Sequence, residues 1–367
     1  MSGLTLTRAT SFSRQLVLLG TFLRKRGIDV TVTGPGPEQY NPSIPGENST
    51  SAQERACEQY DYIRHIAGNK GIDGAILLGY PDQFPFVHKA PSPDFPCFLW
   101  AQFSRPPDPA AIGKALAVPL TPRSGYFLEK GGVMHRGPVI PHGVDTGMFY
   151  PPGVQERRLE RRKRGLQDCL VIGTVGAHSA RKRFGDIIQT AARLRSRLPE
   201  IRLVIKTDRV VSGDGTDIMS IARKHGLTGQ LTVITGNLSD DEMRALYGIM
   251  DVYLNLSEWE GFCIPVVEAM ACGVPVASLP GQGPGEIVPY TDLRIPVHRT
   301  SLEGGSTLTN ADPRKAAEIL YEMLHHLERL GRLRDIGVEE SRTKYDIRTV
   351  TSLWIDLISP AQKIPCA

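Results

Sequence analysis

Apolar residues recur along this chain with two periods, one near 3.6 and one of short unbroken runs. Over residues 11–26, Phe12, Leu16, Leu19 and Leu23 fall three or four positions apart. That spacing predicts one face of a helix, closed by Gly27. Residues 28–32 follow as an expected strand, and short apolar runs at 74–79, 97–101 and 116–120 predict three more. Between them, residues 35–51 and 81–96 are rich in Pro, Gly, Ser and Asn and read as loops. The second half is more regular. Strands are expected at 170–175, 201–206, 231–235, 252–256 and 274–278, and an amphipathic helix at 184–198. Ser239 and Glu242 have capping-box spacing, with Leu238 and Met243 placed as a staple, opening a helix to Ile249. Residues 311–330 and 347–358 predict two further helices. Alternation of strands and helices throughout is the mark of an α/β architecture.

Composition narrows the class without naming it. At 367 residues the chain is long enough for two domains with sizeable cores. Forty-three basic and 39 acidic residues leave a formal charge of +4, too weak a field to argue for a nucleic-acid partner. No run of 18 apolar residues predicts a transmembrane helix, and the start has no charged-then-apolar leader pattern, so a cytoplasmic setting is expected. The six cysteines, Cys57, Cys97, Cys169, Cys263, Cys272 and Cys366, show no CxxC spacing and read as buried free thiols. No Cys/His pair has zinc-ligand spacing, so no metal is expected. On the first helix, Arg14, Arg24, Lys25 and Arg26 are mixed with leucines. A buried amphipathic helix with a charged end, or peripheral membrane contact, both fit that mixture.

The most informative stretch is 257–288. Two carboxylates, Glu260 and Glu268, stand eight positions apart, separated by a glycine turn and one turn of an expected helix. Gly261 permits a tight turn, Pro265 suits a helix start, and Gly273 suits its end. Strands precede and follow, and β–turn–α–β units bind ligands at the carboxyl ends of their strands. The N–H groups of Gly261, Phe262 and Cys263 surround the helix start, a ready site for phosphate or sugar oxygens. Glu260 and Glu268 are candidates to accept hydrogen bonds from paired hydroxyls in one crevice. A second signal is the run Arg181-Lys182-Arg183, which follows the expected strand at 170–175 and a short loop containing Gly176 and His178. Cations at a strand–loop–helix start can grip a diphosphate and stabilise it as it leaves. A weaker candidate is His142, either a turn residue or a ligand contact. Residues 281–285, followed by Glu286, form a glycine-rich loop that either approaches a ligand or is an ordinary turn.

The seventeen residues E-G-F-C-I-P-V-V-E-A-M-A-C-G-V-P-V at 260–276 resemble the E-x7-E segment of family-4 retaining glycosyltransferases, which have the GT-B fold. V-I-P-H-G-V-D-T-G-M-F at 139–149 resembles that family's hinge segment, and V-I-G-T-V-G-A-H-S-A-R-K-R-F at 171–184 its first donor-domain strand and phosphate loop. The resemblance covers residues 139–289 and is faint before them.

This resemblance implies two Rossmann-like domains facing across a cleft: residues 1–150, which bind the acceptor and are rejoined by a terminal helix at 345–367, and residues 151–344, which bind the donor. GT-B chains usually begin with a strand before the first helix; here only residues 1–9 precede it, so the first strand reads as missing or degenerate. The implied reaction moves a hexose-type sugar from a nucleoside-diphosphate sugar (GDP- or UDP-linked) to an acceptor, with retention, by front-face displacement without a metal. Glu268 would hold the ribose, and Glu260 with the amides of Gly261, Phe262 and Cys263 the sugar hydroxyls. Lys182 and Arg181, with Arg183, Gly176 and His178 nearby, would hold the diphosphate. Lys182 matches the family's lysine by spacing, whereas Ala177 stands where the family usually has arginine. Gln102 stands where relatives often place a histidine that contacts the donor sugar, and His142 where they often have asparagine. A small soluble acceptor, such as a natural-product intermediate, is expected. The alternatives are a lipid- or polysaccharide-directed enzyme at the membrane surface, or a catalytically impaired nucleotide-sugar-binding protein.

Overall fold

The computed structural model describes residues 11–32, 73–79, 81–84, 87, 95–103, 105–134, 136–303 and 306–359. The chain divides into two units, Met1–Gly143 with Ile347–Ala367, and Val144–Asp346.

In the first unit, helix α1 (Ser11–Lys25) buries Leu19, Phe22 and Leu23, so its apolar stripe is spent on packing. The expected strand at 28–32 does not form. Ile28 donates its N–H to Leu23 O at 3.2 Å, and Arg24 Nε donates to Val30 O at 2.8 Å. The segment therefore bonds back to its own helix. The question of a strand before α1 falls on residues 1–10, outside the described residues, as does the loop expected at 35–51. Strands β1 (Ala75–Leu78), β2 (Cys97–Ala101) and β3 (Leu116–Pro119) form a parallel sheet in that order. The two faces of β2 show the period of a strand. Cys97, Leu99 and Ala101 enter one apolar cluster with Ala117 and Leu128. Phe98 and Trp100 turn the other way, onto Trp354 of the final helix (Ile347–Ile358), with ring centroids 6.1 and 5.4 Å away. Helices α2 (Pro109–Ile112) and α3 (Pro122–Lys130) each start with proline behind a side-chain cap, Asp108 and Thr121.

The second unit opens with α4 (Val154–Lys163), then β4 (Leu170–Val175), α5 (Phe184–Arg195), β5 (Ile201–Lys206), α6 (Ile218–Lys224) and β6 (Leu231–Ile234). It continues with α7 (Asp240–Gly248), β7 (Val252–Asn255), α8 (Ile264–Ala271), β8 (Val276–Ser278) and α9 (Gln282–Ile287). The hairpin β9 (Val297–Glu303)–β10 (Ser306–Ala311) and helices α10 (Pro313–Leu324) and α11 (Leu327–Lys344) complete it. The five strands are parallel in the order β6-β5-β4-β7-β8. The chain runs outward from β4 to β6, then returns to β7 on the other side of β4. That reversal opens a crevice at the carboxyl ends of β4 and β7, where open α/β sheets bind ligands.

The capping box at Ser239 and Glu242 forms. Two further expectations change. Residues 281–285 fold into the start of α9 rather than a loop. The helix expected over 311–330 is two helices that meet at His325 and His326, and its first residue belongs to β10. Helix α4 and the hairpin have no counterpart in the apolar pattern. The only aliphatic side chains of α4, Val154 and Leu159, are exposed. It is held by arginines: Arg157 and Arg161 reach Asp251 at 2.7 and 2.5 Å. No helix among the described residues is long and apolar enough to cross a membrane.

Candidate functional site

The carboxyl end of β4 is pinned to β7 by Tyr253, whose hydroxyl donates to Val175 O at 3.0 Å and accepts from Val175 N at 3.3 Å. Gly176 follows. A Cβ there would lie 2.8 Å from Lys182 Cε, so the missing side chain makes the channel through which Lys182 passes. His178 donates its backbone N–H to Asp208 Oδ1 at 2.7 Å, and its ring packs on Phe184 with centroids 5.4 Å apart. Its Nδ1 is buried and has no hydrogen-bond partner among the described residues. Residues Ala180–Lys182 make a single 3-10 turn, and Arg183 then takes a left-handed backbone (φ 52°) to begin α5.

The carboxyl end of β7 is built as tightly. Asn255 Oδ1 accepts Ser257 N at 3.1 Å, and Asn255 Nδ2 donates to Cys263 Sγ at 3.4 Å, so one side chain spans the turn. Cys263 is left-handed (φ 70°) and begins α8. Left-handed backbone is rare for residues with a Cβ and concentrates where a site needs it. Burial, then the charge of Glu260, pushes the Cys263 thiol up to about 12, so it is protonated at neutral pH and no nucleophile.

The two segments meet residue against residue. Glu258 donates its N–H to Arg181 O at 2.8 Å, and its carboxylate pairs with Arg183 at 3.3 Å. Arg181 Nη1 reaches Trp259 O at 3.2 Å and Glu260 Oε2 at 2.8 Å. Lys182 Nζ donates to Glu260 Oε1, and both side chains are buried. Burial works to raise the Glu260 carboxyl, but Lys182 and then Arg181 outweigh it and hold the group below the ordinary carboxylate range. The predicted trio Glu260, Lys182 and Arg181 is thus one cluster. Two supports hold the turn from outside. Gly283 donates its N–H to Glu260 O at 3.0 Å, where a Cβ would lie 2.6 Å from the carbonyl carbon and oxygen of Gly261. Thr309 of β10 donates its N–H and hydroxyl to Glu258 O at 3.1 and 3.2 Å.

Glu268, on the otherwise apolar α8, is buried and accepts the hydroxyl of Tyr247 at 2.7 Å. Burial, reinforced by the Glu268 charge, drives the Tyr247 phenol well above its ordinary value, so it stays a donor. Both glutamates act electrostatically on Tyr253. Gly283 lies in the glycine-rich stretch 281–285 that the sequence marked out; Tyr247, Asp208, Glu258 and Thr309 were not singled out from it. Only Glu258 carried a signal there, the alternation E-W-E opposite R-K-R.

The remaining candidates lie in the first unit. Gln102 follows β2 and is half-buried. His142 is buried against Trp100, ring centroids 4.7 Å apart, and burial lowers its imidazole to about 3. It is a neutral member of an aromatic core.

Residues 156–294, which contain this cluster, match the family model for glycosyl transferases group 1. Among curated relatives, the MMP alpha-(1->4)-mannosyltransferase of Mycolicibacterium hassiacum is 32% identical over 201 residues, covering 54% of this chain and 42% of that protein. The GDP-mannose-dependent alpha-(1-6)-phosphatidylinositol monomannoside mannosyltransferase of Mycolicibacterium smegmatis is 30% identical over 191 residues, covering 48% of this chain and 48% of that protein. The chain therefore spans less than half the length of either. Anabaena HepE, solved in complex with UDP and glucose, superposes with a TM-score of 0.71 at 13% identity, covering 97% of this chain and 98% of that one. The fold is GT-B, an α/β architecture of two Rossmann-like domains.

Proposed function

We propose that the protein is a retaining glycosyltransferase that moves a hexose-type sugar from a nucleoside-diphosphate sugar to a small acceptor. The observation that carries this reading is the buried Glu260 clasped by Lys182 and Arg181 at the switch point of a parallel sheet. The family match over residues 156–294 supports it. Relatives named as mannosyltransferases, one of them GDP-mannose-dependent, and a fold neighbour bound to UDP and glucose favour GDP- or UDP-hexose donors.

In this reading the diphosphate enters beside Lys182 and Arg181 and offers them a second anion. Glu260 then exchanges part of its ion pairing for the sugar hydroxyls, alongside the amides of Gly261, Phe262 and Cys263. Glu268, oriented by Tyr247, accepts from the ribose hydroxyls, and His178 and Arg183 border the phosphates. The bond from the anomeric carbon to the phosphate oxygen breaks as the acceptor oxygen bonds to the same face. The acceptor proton passes to the leaving phosphate, whose charge Lys182 and Arg181 stabilise without a metal. The buried apolar face of α1 favours a soluble acceptor over a lipid surface.

The test is a donor screen with the purified chain. Thermal shifts with UDP and GDP identify the base, and mass spectrometry with the matching hexose donors follows sugar release and transfer. NMR of the anomeric proton reads retention. Glu268→Ala should weaken nucleotide binding by about 1.5–3 kcal/mol, the scale of a charge-assisted hydrogen bond, whereas Lys182→Ala should chiefly lower turnover. A chain that binds nucleotide and never releases sugar would contradict the proposal.

A further inference from the structure

The same two strands that carry the candidate site at their carboxyl ends carry a second concavity near their amino ends. Arg157 Nη1 donates to Met250 O at 3.0 Å, just before β7, and Arg161 Nη1 donates to Cys169 O at 3.1 Å, just before β4. These arginines of α4, with Arg158, face Arg334 and Arg342 of α11 across a cavity of about 620 Å³. Val154, Pro152 and Val338 give it an apolar wall.

Charge is out of balance there. The five arginines meet one lining carboxylate, Asp335, while Asp251 behind them is already held by Arg157 and Arg161 at 2.7 and 2.5 Å. Three positive charges are left in excess. Arg158 and Arg342 are exposed, and neither makes an ion pair among the described residues. Arg334 Nε is spent on Gly273 O at 3.1 Å, which aims its guanidinium along the wall. The crowding is felt by Arg157, lowered to about 10 by burial first, with Asp251 opposing and Arg161 and Arg334 adding to the fall. Guanidinium forks match phosphate oxygens two at a time, and a chamber of several such forks with an apolar wall suits an anion bearing an organic group.

We propose that this arginine-lined cavity between α4 and α11 binds a phosphate ester, separately from the diphosphate grip at Arg181 and Lys182. The ester reaches it either as a free metabolite or as the headgroup of an anionic lipid. Calorimetry on the full chain with glycerol 3-phosphate and with inorganic pyrophosphate tests the first source. Co-sedimentation with phosphatidylcholine vesicles containing phosphatidylglycerol tests the second. The paired variant Arg158→Ala/Arg342→Ala removes two exposed cations and should lower affinity for the phosphate-bearing probe by about tenfold or more, from the loss of charge-assisted hydrogen bonds. Arg158→Lys/Arg342→Lys should recover only part of it, because lysine lacks the fork. Arg342→Gln alone serves if the paired variant unfolds. Binding of glycerol 3-phosphate that these variants weaken supports a free ester, and sedimentation that they abolish supports a lipid headgroup. Absence of binding by every probe, or affinity that the variants leave unchanged, overturns the proposal.

Discussion

The hydroxyl of Tyr247 donates to Oε2 of Glu268 at 2.7 Å, joining α7 to the single carboxylate on α8. A buried carboxylate needs such a partner, because an unpaired one is costly. Tyr247→Phe leaves the ring in place and removes only the donor. Its thermal midpoint should fall by the equivalent of about 1–3 kcal/mol, and UDP or GDP affinity should fall with it. In a double-mutant cycle with Glu268→Gln the two losses should be strongly non-additive. Additive losses would mean that the contact carries no coupling.

Lys182 and Glu260 form the buried ion pair of the site, with Arg181 as a third member. Breaking a buried pair from one side strands the other charge, at a cost of about 3 kcal/mol or more, although Arg181 offsets part of it here. Lys182→Met should therefore destabilise the fold more than Lys182→Met/Glu260→Gln. Denaturant unfolding of the three proteins checks the order. The same pair sets an acid limit. Glu260 has a folded pKa below its unfolded value, so its stabilisation is present above pH 4.5 and lost as pH falls through the lower folded value.

Gly283 touches the Glu260 turn through backbone alone. A Cβ at this position would lie 2.6 Å from the carbonyl carbon of Gly261 and 2.7 Å from the amide of Phe262. Both are main-chain atoms with little room to yield. Gly283→Ala should cost about 1–3 kcal/mol, as overpacking does. It should also displace the turn, so nucleotide-sugar turnover drops further than stability. Gly153→Ala, where a Cβ meets nothing within 4 Å, is the control.

Burial of His142 should make the first unit acid-labile. Its imidazole is lowered from 6.5 to about 3, burial being the cause, so the folded state refuses a proton that the unfolded chain accepts. Stability is full above pH 6.5 and declines as pH falls from there toward 3, by about 1.4 kcal/mol per pH unit for one proton. Between pH 7 and 5 wild type should lose about 2 kcal/mol from this residue, and His142→Phe should not. Equal pH dependence in the two proteins would remove His142 as the cause.

Much of this architecture was legible because its residues announce it locally. The strand at Leu170–Val175 opens on three apolar residues in a row, the strand at Ile201–Lys206 carries Leu203, Val204 and Ile205, and Ser239 and Glu242 cap a helix by spacing alone. Lys182, Arg181 and Glu260 were readable as chemistry, since a strand end, a glycine turn and a charge recur at each. What stayed hidden depends on contacts distant in sequence. Helix α4 has no apolar face, and its grip on Asp251 spans some 90 residues. Thr309 reaches Glu258 from a hairpin 51 positions downstream. Tyr247 lies in an ordinary helix pattern, and only folding shows that its hydroxyl meets Glu268. His142, read as a turn residue or a ligand contact, is instead core, because Trp100 and Phe12 close over it.

The placement of the aromatic side chains has an optical consequence. The chain has three tryptophans. Trp100 and Trp354 are fully buried and stacked edge to face in the first unit, while Trp259 lies in the second, with its carbonyl on Arg181. Replacing Trp259 by phenylalanine confines tryptophan emission to the first unit. Replacing the other two leaves a single tryptophan, between Glu258 and Glu260. One chain thus carries its own reporters, one for the integrity of a core and one for occupancy of the turn.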